Sequence, residues 1–174
     1  MRIIFPAALV WVVLSPGMSP AQDSEAPISA RNFLWVNQEF CTAGQPTHQD
    51  LIRLKQKGIR SVLNLRTTAE DPGVAKEGAA VQALGLKYFH LPVDSSQLAP
   101  KLGDEFLRIV SDESNRPLFI HCASANRVGA FWILHRVVNQ GWSRARAEEE
   151  ARKIGLRSPR LLEYARKYLE QAGH

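Results

Sequence analysis

PLFIHCASANRVG, residues Pro117 to Gly129, is the stretch from which the rest of the chain can be read. A short apolar run (Leu118, Phe119, Ile120) ends in His121-Cys122. Four small residues follow, Ala123, Ser124, Ala125 and Asn126, then Arg127, then an apolar segment of helical character. A buried strand, a tight loop and a helix start are laid end to end. Such a junction aims backbone N–H groups and the positive helix end at one point, which suits an anion. A cysteine at its mouth is expected to be acidic: free cysteine titrates near ~8.5, and helix N-termini or nearby cations bring it to roughly 3.5–7.5. Arg127 closes the loop and offers a planar fork to a tetrahedral oxyanion. Cys122 thus reads as a nucleophile, with His121, Ala123, Ser124, Ala125 and Asn126 around the anion. The competing reading is core filling, since cysteine is among the most buried residue types.

Outward from that stretch, strands alternate with helices. Phe33 to Cys41 reads as a first strand and Thr42 to Pro46 as a turn. Thr47 caps a helix with Asp50 three residues on, and Gly58 stops it. Ile59 to Leu65 is a second strand, Val74 to Leu84 a helix ended by Gly85, and Leu86 to Leu91 a third strand stopped by Pro92. A helix carries Leu102, Phe106, Leu107, Ile109 and Val110, and Leu118 to His121 is the fourth strand. Val128 to Val138 is apolar nearly all round, which marks a central buried helix. Ser143 opens another helix that Gly155 ends, and Ser158-Pro159 opens the last, an N-cap with proline at the first helical position. The order predicts a single α/β domain with a mostly parallel sheet of four to five strands flanked by helices. Ligands on such sheets bind beyond the carboxyl ends of the strands, where Cys122, Asp94 and Arg66 should emerge.

The chain has 174 residues, 45% hydrophobic and 22% charged, ordinary globular values for one domain. Residues 1–21 differ: Arg2 precedes the apolar run Ile3 to Leu14, and Ser19-Pro20-Ala21 offers a cut before Gln22. That pattern reads as a secretory signal, too short to span a bilayer comfortably. Residues 22–32 read as a linker or frayed terminus and 33–174 as the domain. The exported chain would reach the periplasm if the source is Gram-negative, with no stable membrane span after cleavage. The net charge of +5 falls to +4 once Arg2 leaves. Without a dense basic run, it favours small anionic substrates over nucleic acid. The histidines at 48, 90, 121, 135 and 174 are scattered, so no zinc spacing exists and neither metal nor cofactor is expected. Cys41 and Cys122 could pair in an exported protein, which would block the nucleophile.

A thiolate attacking phosphorus needs a leaving group that departs protonated, and a carboxylic acid on a neighbouring loop can supply the proton. Asp94, in HLPVDSS after the third strand, is the candidate; the alternative is a turn-forming aspartate. Arg66 either faces the anion or pairs with Glu70 or Asp71. Between about Phe33 and Gly141 the chain resembles the cysteine-phosphatase superfamily, in particular dual-specificity-like enzymes. The resemblance rests on GIRSVLNLR, then YFHLPVD, then HCASANRVG. It looks closest to the bacterial phosphatase-like domain named after the beta-lactamase-hydrolase-like proteins. The resemblance implies Cys122 as nucleophile, Arg127 as phosphate clamp, Asp94 as general acid and the Ala123–Arg127 backbone as cradle. It departs in having Cys-x4-Arg instead of Cys-x5-Arg, Val128 where a hydroxyl follows the arginine, and Ala125 near the usual glycine. Loop length is also similar to rhodanese-type sulfurtransferases, which carry a persulfide, and Val128 fits a catalytically silent anion binder. The expected substrate is therefore a phosphorylated or sulfur-containing anion; the sequence names no oligomeric state.

The leader makes one testable statement. N-terminal sequencing of secreted protein should begin at Gln22 or within a few residues; an intact Met1 on soluble cytoplasmic protein would overturn it.

Overall fold

A computed structural model describes residues 26–71 and 73–174, so the leader and its cut after Ala21 lie outside the described residues. In chain order the elements are β1 (Leu34–Trp35), β2 (Phe40–Ala43), α1 (His48–Gln56), β3 (Ser61–Asn64), α2 (Gly73–Ala83) and β4 (Lys87–His90). Then come α3 (Pro100–Ser111), a 3-10 turn (Glu113–Asn115), β5 (Leu118–His121) and α4 (Asn126–Leu134). A π-helical turn (His135–Asn139) prolongs α4, followed by α5 (Arg144–Ile154) and α6 (Pro159–Gln171). The strands lie in the order β1-β2-β5-β3-β4. β2, β5, β3 and β4 run parallel, and only β1 is antiparallel to its neighbour. The expected mostly parallel α/β sheet is present, with β5 at its centre.

Side-chain alternation along the strands builds two cores. Phe40, Leu63, Leu118 and Ile120 face the larger one with α3 to α6, and Cys41, Val62 and Phe119 face the smaller one with α1 and α2. Helix α4 is buried along its length, with Phe131 and Trp132 fully enclosed. That agrees with its apolar sequence and puts it at the centre of the larger core. The capping box is formed as expected: the Thr47 side chain accepts from Asp50 N, and the Asp50 carboxylate accepts from Thr47 N. Ser143 and Ser158 cap α5 and α6.

Two expectations need correction, and the Cys41–Cys122 pairing that the sequence left open is not formed. The single strand over Phe33–Cys41 is a hairpin, because the Asn37 side chain accepts from Glu39 N and Phe40 N and turns the chain. The segment 26–32 is no frayed linker, since Ser29 N and Oγ donate to the buried Asp50 carboxylate and Asn32 Nδ2 donates to Ser124 O. Cys41 and Cys122 are both free thiols. Cys41 is paired with Phe119, three residues before Cys122, which puts about 10 Å of strand between them at ~3.3 Å per residue. A disulfide tolerates no more than ~7 Å between Cα atoms, and burial pushes the Cys41 thiol well above its ordinary range.

Gly129 sets how closely α4 meets α5. A Cβ there would sit 2.8 Å from Ala151 O and 3.1 Å from Leu156 N, both backbone atoms that cannot swing aside. Gly129→Ala should therefore lower stability by about 1–3 kcal/mol through overpacking, in spite of alanine's better helix propensity. A melting temperature equal to or above that of wild type would contradict this account.

Candidate active site

The strand–loop–helix junction closes as the sequence suggests. Ala125, with φ 63° and ψ 3°, takes a left-handed conformation, and Asn126 is the first residue of α4. A left-handed alanine costs about 1–2 kcal/mol, and neighbours hold the loop in that shape. Ser124 forms an isolated bridge with Gly44. Gly44 is required there because a Cβ would stand 2.8 Å from Ala123 O and 3.1 Å from Ser124 Cα. On the other side, Asn126 Oδ1 accepts from Arg157 N (2.9 Å) and Ser158 N (3.1 Å), tying the loop to the α5–α6 connection. The first bond of α4 runs from Gly129 N to Ala125 O at 2.9 Å. The N–H groups ahead of it project from the helix end.

Beside this loop lies a cleft of about 470 Å³ at the carboxyl edge of the sheet. Cys122, Ser124, Asn126, Arg127 and Asp94 all line it, together with Glu70, Ser95 and Thr67. Three of the expected residues thus meet from separate segments: Cys122 after β5, Arg127 on α4 and Asp94 after β4. Ala123 and Ala125 contribute backbone to the loop and do not line the cleft.

Arg127 is nearly buried and fully engaged along one edge. Its Nη1 donates to Leu65 O (3.2 Å), Val93 O (3.0 Å) and Glu70 Oε1 (2.5 Å), and its Nη2 donates to Glu70 Oε2 (2.7 Å). Burial works against the charge, but the Glu70 hydrogen bonds and the neighbouring Cys122 sulfur outweigh it and make the guanidinium more basic than usual. Burial alone would likewise raise the Glu70 carboxyl; the bonds from Arg127 and Thr67 reverse this and bring it to about 2. Asp94 Oδ1 accepts from Ser96 N and Ser96 Oγ, both at 2.7 Å. These bonds hold the exposed Asp94 carboxyl below the usual carboxylate range. Asp94 is therefore both a turn former and a cleft residue.

Two expected residues lie elsewhere. Arg66 does not line the cleft: Nη1 donates to Gln45 Oε1 (2.8 Å) and pairs with Asp71 (3.3 Å), and Nε stands 3.7 Å from Glu70, the ion-pair alternative that the sequence offered. His121 is two residues after Phe119 and stacks on it, with centroids 5.3 Å apart, so it enters the smaller core. Its Nε2 meets Glu77 Oε1 at 2.8 Å on the far face of the sheet from Cys122. Glu70 and Glu77 were not singled out from the sequence as site residues. Glu77 had one signal, an acid at helical spacing between Val74 and Val81 on an apolar stripe. Among the described residues no group of His, Cys, Asp and Glu could hold a metal ion.

A five-stranded, mostly parallel sheet with this junction at its carboxyl edge is the fold of the cysteine-dependent dual-specificity and tyrosine phosphatases. Residues 25–165 match the family described as DSP-PTPase phosphatase fused to NAD+ kinase, and the chain belongs to that family. A beta-lactamase hydrolase-like protein of Xylella fastidiosa is 28% identical over 116 residues, 65% of this chain and 27% of the relative. The likeness thus covers about a quarter of a longer protein. A DUF442 phosphatase from Shewanella putrefaciens superposes with a TM-score of 0.70 at 21% identity, covering 84% of this chain and 96% of the other. TpbA of P. aeruginosa, solved as a cysteine-to-serine variant in complex with phosphotyrosine, gives 0.63 at 20% identity, over 79% and 82% of the two chains.

The Glu70–Arg127 pair makes stability depend on acid. Because the folded-state carboxyl lies below its unfolded value of 4.5, its contribution is present above pH 4.5 and fades as pH falls toward about 2. Glu70→Gln should melt below wild type at pH 7, and the gap should narrow in melts taken at successively lower pH below 4.5. A gap that stays constant down to pH 3 would contradict the assignment.

Proposed function

We propose that the protein is an exported cysteine-dependent phosphatase that hydrolyses phosphate monoesters, phosphotyrosine-like or small, through a cysteinyl-phosphate. The observation that carries the reading is the convergence of Cys122, Arg127 and Asp94 on one cleft beside the N-terminal turn of α4. The phosphotyrosine complex of TpbA supports a phosphorylated substrate, and the apolar run Ile3–Leu14 supports export.

In this reading the phosphate dianion sits over the Ala123–Arg127 backbone, with Arg127 beside it. Glu70 occupies the Nη1/Nη2 edge of Arg127. The remaining Nε side is then the edge that donates to phosphate oxygens. Cys122 Sγ attacks phosphorus, a P–S bond forms and the P–O bond to the leaving group breaks. Asp94 passes its proton to the departing oxygen. Water then attacks the cysteinyl-phosphate, the Asp94 carboxylate takes its proton, and the thiolate leaves. Throughout, fixed N–H donors and Arg127 stabilise the charge on the phosphoryl oxygens. Asp94 must gain a proton before the first step, and a dianion bound nearby favours that protonation. Left-handed Ala125 turns the chain within the short Cys122–Arg127 loop, so the guanidinium still comes back to the sulfur.

Purified protein should hydrolyse an aryl phosphate and be inhibited by vanadate. Cys122→Ser should abolish turnover, and Arg127→Lys should fail because an ammonium cannot reproduce the fork. Asp94→Asn should slow hydrolysis by about 10²–10⁴-fold, less so for an activated phenol. A protein that leaves aryl phosphates untouched while taking a sulfur atom onto Cys122 from thiosulfate would be a sulfurtransferase. Inertness toward both, with anion binding intact, would leave a silent binder.

A further inference from the structure

Behind the anion loop, on the α1/α2 face of the sheet, lies a buried carboxylate that the reaction above does not use. Glu77 on α2 is only 8% exposed. Its Oε1 accepts from His121 Nε2 (2.8 Å) and Asn64 Nδ2 (2.9 Å), and its Oε2 accepts from Gln45 Nε2 (2.6 Å). Burial raises the Glu77 carboxyl, and the hydrogen bonds from His121, Gln45 and Asn64 more than reverse this, leaving it below its ordinary range. The three donors come from the carboxyl ends of β5, β3 and β2, so one ionised group ties three strand ends together.

Two of those donors flank the nucleophile. His121 precedes Cys122 in the chain, and its ring is fully buried with Glu77 as its hydrogen-bond partner; Nδ1 has none among the described residues. On the other side, the Gln45 backbone N–H reaches Ala123 O, the carbonyl of the residue after Cys122, at 3.4 Å. The backbone bond from Cys122 N to Ala43 O is also long, at 3.4 Å. Where the ladder between β2 and β5 runs out, its last bonds are weak. The side chains of His121 and Gln45, converging on one carboxylate, hold the two strand exits in register there.

We propose that Glu77 is a positioning residue for Cys122: by clamping His121 and Gln45 together it holds the backbone at the residues before and after the nucleophile. The proposal rests on Cys122 being the nucleophile of the function proposed above. A neutral amide at position 77 would present N–H hydrogens to donors that need an acceptor, so the clamp would open.

The test uses the full chain and reads Cys122 directly, by its alkylation with iodoacetamide at pH 7 and mass spectrometry of the labelled peptide. Glu77→Gln should slow alkylation and kcat by about tenfold each, the usual cost of losing a residue that orients a functional group. KM should stay within about twofold, because phosphate binding does not pass through Glu77. His121→Asn should cause a similar loss, and the double variant should lose no more than either single one, as expected for two residues acting as one unit. Wild-type rates in a folded Glu77→Gln, or losses that multiply in the double variant, would overturn the proposal. Should Glu77→Gln fail to fold, Gln45→Met removes one arm of the clamp. Its alkylation should fall by about three- to tenfold, in line with one lost hydrogen bond, and an unchanged rate would overturn the proposal equally. If wild-type Cys122 reacts no faster than an ordinary free thiol, the nucleophile reading fails instead.

Discussion

Everything at the site depends on β5 being paired in parallel with β2 on one side and β3 on the other. Parallel pairing brings three strands to the same edge pointing the same way, so the residues that follow them emerge together. It also forces the chain to leave β5 along the sheet and enter α4 at once, which puts a helix start at the strand end. Alternation then divides the work at that end. His121 goes to the smaller core and the Glu77 carboxylate, and Cys122 goes to the opposite side and the cleft. One backbone step separates a contact in the smaller core from a residue that lines the cleft.

The second constraint is electrostatic. Arg127 is too buried to keep its charge without partners, and two backbone carbonyls and the Glu70 carboxylate supply them. These contacts fix the plane of the guanidinium before any ligand arrives. In the reaction proposed above, a fixed plane would lower the entropy lost on binding the oxyanion, the general advantage of preorganisation. Glu70 itself is held by Thr67 N and Oγ1, so the loop after β3 carries the orientation of a residue on α4. Asp94 stands on the loop after β4, where Ser96 shapes its turn and leaves the carboxyl at the mouth of the cleft.

Much of this was legible in the sequence. Leu118–His121 has the bounds its apolar run suggests, and Thr47, Ser143 and Ser158 cap the helices they precede. These signals are local: a cap or an apolar run is decided by residues within one turn of each other. Cys122, Arg127 and Asp94 were singled out because the loop chemistry and the family resemblance both pointed to them, and the fold brings the three to one cleft. Arg66 was left between two readings: its pairing with Asp71 and Glu70 is the one the nearby sequence offered, and Gln45, 21 positions away, is the partner that only the fold supplies. His121 was placed at the anion because it adjoins Cys122, although adjacency in a strand means opposite faces.

By itself, then, the sequence determined the alternation of strands and helices, the strand–loop–helix junction at Cys122 and the helix ends, because period, capping and turn preference act over a few residues. Only the tertiary structure decided which acid serves which base. Glu70 meets Arg127 across 57 positions and Glu77 meets His121 across 44. It also decided that residues 26–32 dock on the domain and that Ala125 bends left-handed beside Gly155, with Ser124 bridged to Gly44. Such pairings depend on which segments the folded sheet brings within hydrogen-bond reach, and a buried charge finds its partner in space, wherever that partner lies along the chain.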